Sequence, residues 1–244
     1  MKILGVIPSR YASTRFPGKP LADINGKSMV QRVYEQCKKS KVLTDVVVAT
    51  DDKRIHKHVL GFGGKSVMTN TKHKSGTDRC KEALEKSGDY DIVINIQGDE
   101  PFIDPSQIDD LATCFENEET QIATLIKKLD KIEQLASPNK VKVILNKQNN
   151  AIYFSRMPLP YQFGIQIEEW LDKQTYYKHI GIYAYTAETL NAITKLPVSN
   201  LEKAESLEQL RWIEHGYTIA TKTTNIETPN VDTPEDLKAI LEYM

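Results

Sequence analysis

Arg10, Arg15 and Lys19 fall in one acid-free stretch, SRYASTRFPGKPLA at 9–22, together with the hydroxyls of Ser9, Ser13 and Thr14. Three cations among hydroxyls suit a polyphosphate, because each charge-assisted hydrogen bond is worth roughly 1.5–3 kcal/mol and a few reach useful affinity. The same composition also fits a solvated surface loop. A second stretch, IVINIQGDEP at 92–101, ends an apolar run in Gln97, Gly98, Asp99 and Glu100 before Pro101. A carboxylate at the C-terminal end of a central strand is a hard-oxygen ligand for Mg²⁺, which takes one or two protein carboxylates beside substrate phosphates. Gly98 would let a ligand approach the backbone. Alone, GDEP is more often an ordinary turn; the basic loop after the first apolar run favours the ligand reading.

Other candidates carry less. NGKS at 25–28 and GGKS at 63–66 imitate phosphate-loop endings, but the required earlier glycine falls on Leu21 and Val59. The first loop holds only Gly18 and so lacks the GxGxxG of a dinucleotide site. His56 and His58 are two apart, on different sides of a helix, and make a poor metal pair. His179 shares strand parity with Tyr183, so the two can line a cleft together or form a packed polar face. Glu116, Glu118 and Glu119 read as a solvated face.

The elements that must position these residues are strands and helices in alternation. KILGVIP at 2–8, VVVAT at 46–50, IVINIQ at 92–97 and VKVIL at 141–145 are nearly continuous apolar runs, the pattern of parallel strands buried on both faces. Between them Met29, Val33 and Cys37 mark one helix face, and Cys80, Ala83 and Leu84 another behind Thr77 as cap. Such repeats predict an α/β doubly wound fold, with loops at the C-terminal strand ends as the place for ligands. AIYFSRMPLPY at 151–161 and HIGIYAY at 179–185, parted by a polar loop with Trp170, predict a smaller β-rich insertion over about 151–195 in a single domain, 1–244. Leu201, Ala204, Leu207, Leu210 and Ile213 predict one helix stopped by Gly216, and Thr233, Pro234 and Asp236 open a last helix facing Leu237, Ile240 and Leu241 inward.

Composition agrees with a folded soluble domain. The 244 residues are 40% hydrophobic and 27% charged, and a chain of this length buries roughly 70–75% of its unfolded surface. With 32 Lys and Arg against 33 Asp and Glu the net charge is −1, which leaves no global field for a nucleic acid or a membrane. Any anion site must be local. Cys37, Cys80 and Cys114 are odd in number and widely spaced, so neither a disulfide framework nor a CxxC site is expected, and a reducing cytoplasm is. MKILGVIPSR is too short an apolar run for a signal peptide, and no run reaches a membrane span.

PSRYASTRFPGKPL, followed in order by QGDEP, HIGIYAY, LEQLR and VDTPEDL, resembles the 3-deoxy-manno-octulosonate cytidylyltransferases, the CMP-Kdo synthetases, along essentially the whole chain. The resemblance implies a Rossmann-like nucleotidyltransferase fold, a mostly parallel central sheet flanked by helices, whose β-rich insertion serves sugar binding and dimerisation. It implies transfer of CMP from CTP to Kdo with Mg²⁺, release of pyrophosphate, a homodimer, and a product used for lipopolysaccharide. Arg10, Ser13, Arg15 and Lys19 would hold the CTP phosphates, and His73, Ser75, Gly76 and Arg79 of HKSGTDR would help frame the cytosine. Asp99 would be one metal ligand and Asp232 the second, with Arg15, Lys19, Asp99 and Asp232 forming the catalytic set. Gln97, Arg156, His179, Tyr183 and Glu208 would meet the sugar acid, Arg156 through its planar fork. The loop reads PSR where many relatives read PAR, and MPLPY is a mild departure; neither removes a charge. The sugar acid can also be the 8-amino analogue of Kdo or a nonulosonic acid, and a non-catalytic nucleotide-binding protein is the rival outside the class.

Overall fold

Ile3, Leu4, Val6 and Ile7 are all buried, so β1 (Ile3–Ser9) is a strand covered on both faces. The computed structural model describes residues 1–12 and 15–242. After β1 come a small hairpin, β2 (Asp23–Ile24) and β3 (Lys27–Ser28), then α1 (Met29–Cys37), capped by the Ser28 hydroxyl. β4 (Asp45–Thr50), α2 (Lys53–Gly61), β5 (Ser66–Met68), α3 (Gly76–Ser87), β6 (Ile92–Asn95) and α4 (Pro105–Ala112) follow. β1 pairs in parallel with β4 and β6, and β4 with β5, giving the order β5-β4-β1-β6. Because each parallel connection needs a crossover, helices cover the strands and force them to be apolar throughout. The spacings predicted for α1 and α3 hold: Met29, Val33 and Cys37, and Cys80, Ala83 and Leu84, are all buried. The cap of α3 is Ser75 and not Thr77: the Ser75 hydroxyl accepts from Asp78 N–H and the Asp78 carboxylate accepts from Ser75 N–H, a reciprocal pair that Thr77 cannot make from inside the first turn.

Two compact units divide the chain: Met1–Ala112, Ala184–Thr194 and Thr228–Met244 form the first, Thr113–Tyr183 and Lys195–Glu227 the second. The second holds β7 (Ile122–Lys128), α5 (Ile132–Ala136), β8 (Lys142–Leu145), β9 (Asn150–Ser155), α6 (Trp170–Lys173) and residues 177–183 of β10 (Tyr177–Thr186). α7 (Ala187–Ile193) returns to the first unit; α8 (Asn200–Glu205), α9 (Gln209–Glu214) and β11 (Ile219–Thr223) belong to the second. β11 runs parallel to β7 and antiparallel to β9, β9 is antiparallel to β8, and β10 lies beside β7. Pairing of Tyr177 with Val143 and Lys178 with Lys142 closes these five strands into a ring, which removes their open edges.

Here the sequence reading needs three corrections. The run at 141–145 is not another parallel strand: only a short turn, with Asn149 at φ 60°, joins β8 to β9, and a connection that short allows only antiparallel pairing. Trp170 is not part of a polar loop but is buried against Leu129, Leu135 and Tyr176, its indole N–H donating to Ile165 O at 3.0 Å. The face Leu201 to Ile213 belongs to two helices, because Ser206 turns left-handed at φ 52° and breaks the run.

The first unit is completed by α10 (Pro234–Glu242), where Thr233 and Asp236 cap one another as their spacing predicted. Ile240, Leu237 and Leu241 pack with Ile24, Met29, Val231 and Phe16. This cluster seats the basic loop, through Phe16, on the segment that carries Asp232.

Candidate active site

At the C-terminal ends of β1 and β6 the basic loop and the QGDEP turn face one cleft of about 480 Å³, whose lining includes Arg10, Arg15, Lys19, Gln97, Gly98 and Asp99. Ser9, the last residue of β1, is buried, so its backbone fixes where the loop departs. The loop closes on itself: Gly18 N–H donates to Tyr11 O at 2.9 Å, with Gly18 at φ 76°, and Lys19–Leu21 form a 3-10 turn. That conformation suits glycine. Gly98 is required for a reason its sequence did not suggest. A Cβ there would stand 2.9 Å from Pro8 O, so the protein's own backbone already requires glycine at this position.

Lys19 is the centre of the arrangement. Its ammonium donates to Asp99 Oδ2 at 2.8 Å, to Val231 O at 2.9 Å and to Asp232 Oδ1 at 3.5 Å. Arg15 reaches Asp232 Oδ1 at 3.0 Å while remaining largely exposed. Val231 N–H donates to Asp99 O at 2.9 Å and ties the two carboxylate-bearing segments together. Asp99 and Asp232 are therefore a converging pair; among the described residues no three His, Cys, Asp or Glu side chains gather as a metal cage. Arg10 is exposed and makes no ion pair among the described residues. Ser13 lies outside the described residues.

Glu100 has no role of its own in the sequence reading. Burial, then the neighbouring Asp99 charge, push its carboxyl up to about 7, against the bond it accepts from the Thr228 hydroxyl at 3.2 Å. Its signal was the second acid of GDEP, which spacing alone does not separate from the first. Asn95, at the end of β6, escaped notice; its Oδ1 is buried without a hydrogen-bond partner among the described residues.

The segment 73–79 is divided in its contacts. Ser75 and Gly76 head α3, and a Cβ on Gly76 would lie 3.7 Å from both Asn95 Nδ2 and Pro8 Cγ, so the positive end of this helix adjoins the ends of β1 and β6. His73 Nε2 is bonded to Glu82. Burial would raise Glu82, yet bonds from Asn70 N–H, Lys86 and His73 outweigh it and bring the carboxyl down to about 2. Arg79 is fully buried, donating to Asp51 Oδ2 at 2.9 Å and to the Thr69 hydroxyl. His56 and His58 have separate partners, Ser66 and Ser28, as their spacing predicted.

In the second unit His179 and Tyr183 do share a face of β10, with ring centroids 5.1 Å apart. Phe154 meets the His179 ring edge-on at 5.3 Å, Trp212 meets Tyr183 at 5.2 Å, and the Thr124 hydroxyl lies 3.0 Å from His179 Nε2. Burial lowers the imidazole to about 3, so it is neutral. Burial and then the Glu208 charge raise the Tyr183 phenol. Arg156 donates to the carbonyls of Glu205 at 2.7 Å, Pro138 at 3.1 Å and Ser206 at 3.4 Å. A guanidinium has five N–H donors, so part of its fork remains for a ligand.

A family model described as Cytidylyltransferase matches residues 4–222. A 3-deoxy-manno-octulosonate cytidylyltransferase of Parabacteroides distasonis is 57% identical, over 100% of this chain and 98% of that protein. An 8-amino-3,8-dideoxy-manno-octulosonate cytidylyltransferase of Shewanella loihica is 47% identical, over 98% and 96%. A solved CMP:2-keto-3-deoxy-manno-octonic acid synthetase complexed with CTP is 43% identical, covers 100% of this chain and 98% of its own, and superposes with a TM-score of 0.93. The α/β nucleotidyltransferase fold and these full-length likenesses agree: the chain belongs to the 3-deoxy-manno-octulosonate cytidylyltransferase family.

Proposed function

We propose that this protein joins CTP to 3-deoxy-D-manno-octulosonate, giving CMP-Kdo and pyrophosphate. The observation that carries the reading is the meeting of Arg15 and Lys19 with Asp99 and Asp232 where β1 and β6 end. The anomeric hydroxyl oxygen of Kdo attacks the α-phosphorus in line, forming the new O–P bond as the bond to the bridging oxygen breaks. Pyrophosphate leaves with that electron pair, and the hydroxyl proton passes to water. Charge grows on the leaving oxygens, where Arg15, Lys19 and the exposed Arg10 are placed to neutralise it. Gly76 offers the N–H of a helix start and Ser75 its hydroxyl proton to the nucleotide, the Ser75 N–H being taken by Asp78, while Arg79, committed to Asp51 and Thr69, holds α3 in place for them. His73 is ascribed to the same nucleotide site, and so is Ser13.

Asp99 and Asp232 fit Mg²⁺. Both are hard-oxygen donors, both are part-exposed, and both already converge on one cation, the Lys19 ammonium. When bound, the metal would neutralise phosphate charge and lower the pKa of the sugar hydroxyl, which makes a dedicated protein base unnecessary.

For the sugar acid, the second unit's Arg156, His179, Tyr183 and Glu208 are the recognition set, and by the family resemblance Gln97 of the first unit is ascribed to the same substrate. The neutral imidazole of His179 suits hydroxyls, and the spare donors of Arg156 suit the carboxylate. The 8-amino sugar acid is a second reading, favoured by the Shewanella likeness. The test is pyrophosphate release from CTP and Mg²⁺ with Kdo, the 8-amino analogue or sialic acid supplied separately, beside a no-sugar control. Release with Kdo supports the proposal; release with another acid alone reassigns the substrate; none with any sugar acid removes the activity.

We further propose a homodimer working in the cytoplasm and supplying lipopolysaccharide assembly. No helix among the described residues is long and apolar enough to cross a membrane. Met157, Tyr161 and Phe163, at 66%, 69% and 95% exposure, give the second unit an apolar stretch that a second copy would cover. Light scattering on purified protein checks the dimer.

A further inference from the structure

Asp99 and Asp232 are the residues a metal would use, yet both already have a cation. The Lys19 ammonium sits 2.8 Å from Asp99 Oδ2, 3.5 Å from Asp232 Oδ1 and 2.9 Å from Val231 O, and its side chain is less exposed than either carboxylate, 14% against 27% and 28%. Two carboxylates and a carbonyl around one charge are the hard-oxygen donors a divalent ion would seek. Arg15 adds a second positive charge on Asp232 Oδ1 at 3.0 Å. Two cations already balance two carboxylates, so a divalent ion entering this pocket alone would leave it strongly positive. The triphosphate of a nucleotide reverses that balance and offers the ammonium other oxygens.

We propose that Lys19 is an internal placeholder cation: without nucleotide its ammonium occupies the position between Asp99 and Asp232, and a divalent metal enters only as the phosphates draw that ammonium away. The Lys19 backbone is held by the Gly18 turn, the Gly18 to Tyr11 bond and the 3-10 turn that follows. The exchange is therefore a matter of side-chain rotamers and needs no loop rearrangement. Metal and nucleotide then bind with positive coupling, and the apo enzyme does not collect divalent ions that would lock its phosphate cations out of place. An ordinary structural ion pair would show no such coupling.

The inference rests on the cytidylyltransferase reading and is tested separately from it. Free Mn²⁺ is titrated by electron paramagnetic resonance into nucleotide-free wild-type protein, Lys19→Met and Lys19→Gln, with folding checked by circular dichroism. The expected result is weak binding by the wild type and at least about tenfold tighter binding by both variants, since removal of the ammonium bares two carboxylates. Adding Asp99→Asn to Lys19→Met should abolish the gain. Equal Mn²⁺ affinity in wild type and variants overturns the placeholder. If neither variant folds, the wild type still decides: micromolar Mn²⁺ binding without nucleotide overturns the proposal, and millimolar binding supports it. Pyrophosphate release decides the activity, so an active wild type without a variant gain refutes only the placeholder, and a variant gain in a protein that releases no pyrophosphate refutes only the activity.

Discussion

His179 should make the second unit acid-sensitive. Burial beside Phe154 and Tyr183 brings its imidazole from an ordinary 6.5 to about 3 in the folded protein. A lowered histidine pKa means that the unfolded chain takes up a proton which the folded chain refuses. The stability held by the neutral ring is complete above about pH 6.5, falls as the pH drops below it, and stops falling only near pH 3. At about pH 5 the unfolded imidazole is almost wholly protonated and the folded one is not, and the difference amounts to about 2 kcal/mol at roughly 1.4 kcal/mol per pH unit. The residue keeps some exposure, so this figure is a ceiling.

Urea unfolding of wild type and His179→Gln at about pH 8 and about pH 5 measures the effect as the difference between two pH differences. Carboxylates that titrate in the same window are common to both proteins and cancel. Both tryptophans, Trp170 and Trp212, are buried in the second unit, so their fluorescence reports the unit that holds the histidine. The wild type should lose about 1–2 kcal/mol more than the variant on acidification. An identical loss in both would mean that the imidazole titrates normally, and the neutral-histidine account of sugar recognition would fall with it.

Asp99→Asn should cost at least about 100-fold in pyrophosphate release while far-UV circular dichroism stays unchanged, because it removes a charge at the phosphate site without disturbing β6; near-normal turnover takes Asp99 out of the mechanism. Arg79→Met should destabilise the first unit by about 3–5 kcal/mol, read from the urea midpoint, because it leaves Asp51 and Thr69 facing an apolar side chain. Gly98→Ala should cost about 1–3 kcal/mol and raise the KM for CTP, since its methyl would press on Pro8 O at 2.9 Å and displace the turn that carries Asp99; an unaltered midpoint and KM would show that the turn has slack.

What the sequence reveals of this molecule follows from the range of the forces involved. The buried strands β1, β4 and β6 were legible because a strand covered on both faces must be apolar at every position, a rule that acts within a few residues. The Thr233 cap and the α1 face were legible for the same reason: capping and helical packing are written in spacings of three and four. The break at Ser206 was not, because the leucine spacing runs through it unchanged and only one residue's left-handed backbone interrupts the helix. The direction of β8 depended on the tight turn at Asn149, which an apolar run does not encode.

The site lies at the far end of that scale. Arg15 and Lys19 could be suspected from their own loop, and Asp99 from the end of its strand, but Asp232 meets Lys19 across 213 residues of chain. Nothing near Asp232 distinguishes it from other acids ahead of a helix. Its role depends on Val231 bonding to Asp99 and packing with Ile24, Met29 and Ile240, so position is set by the fold and not by local pattern. Only the resemblance of VDTPEDL to the family pointed to it beforehand. The same geometry explains how a chain of net charge −1 can hold a polyphosphate site. Lys19 and Arg15 face two carboxylates that also suit a metal, so the positive charge of the loop is locally balanced and the site adds no strong field of its own.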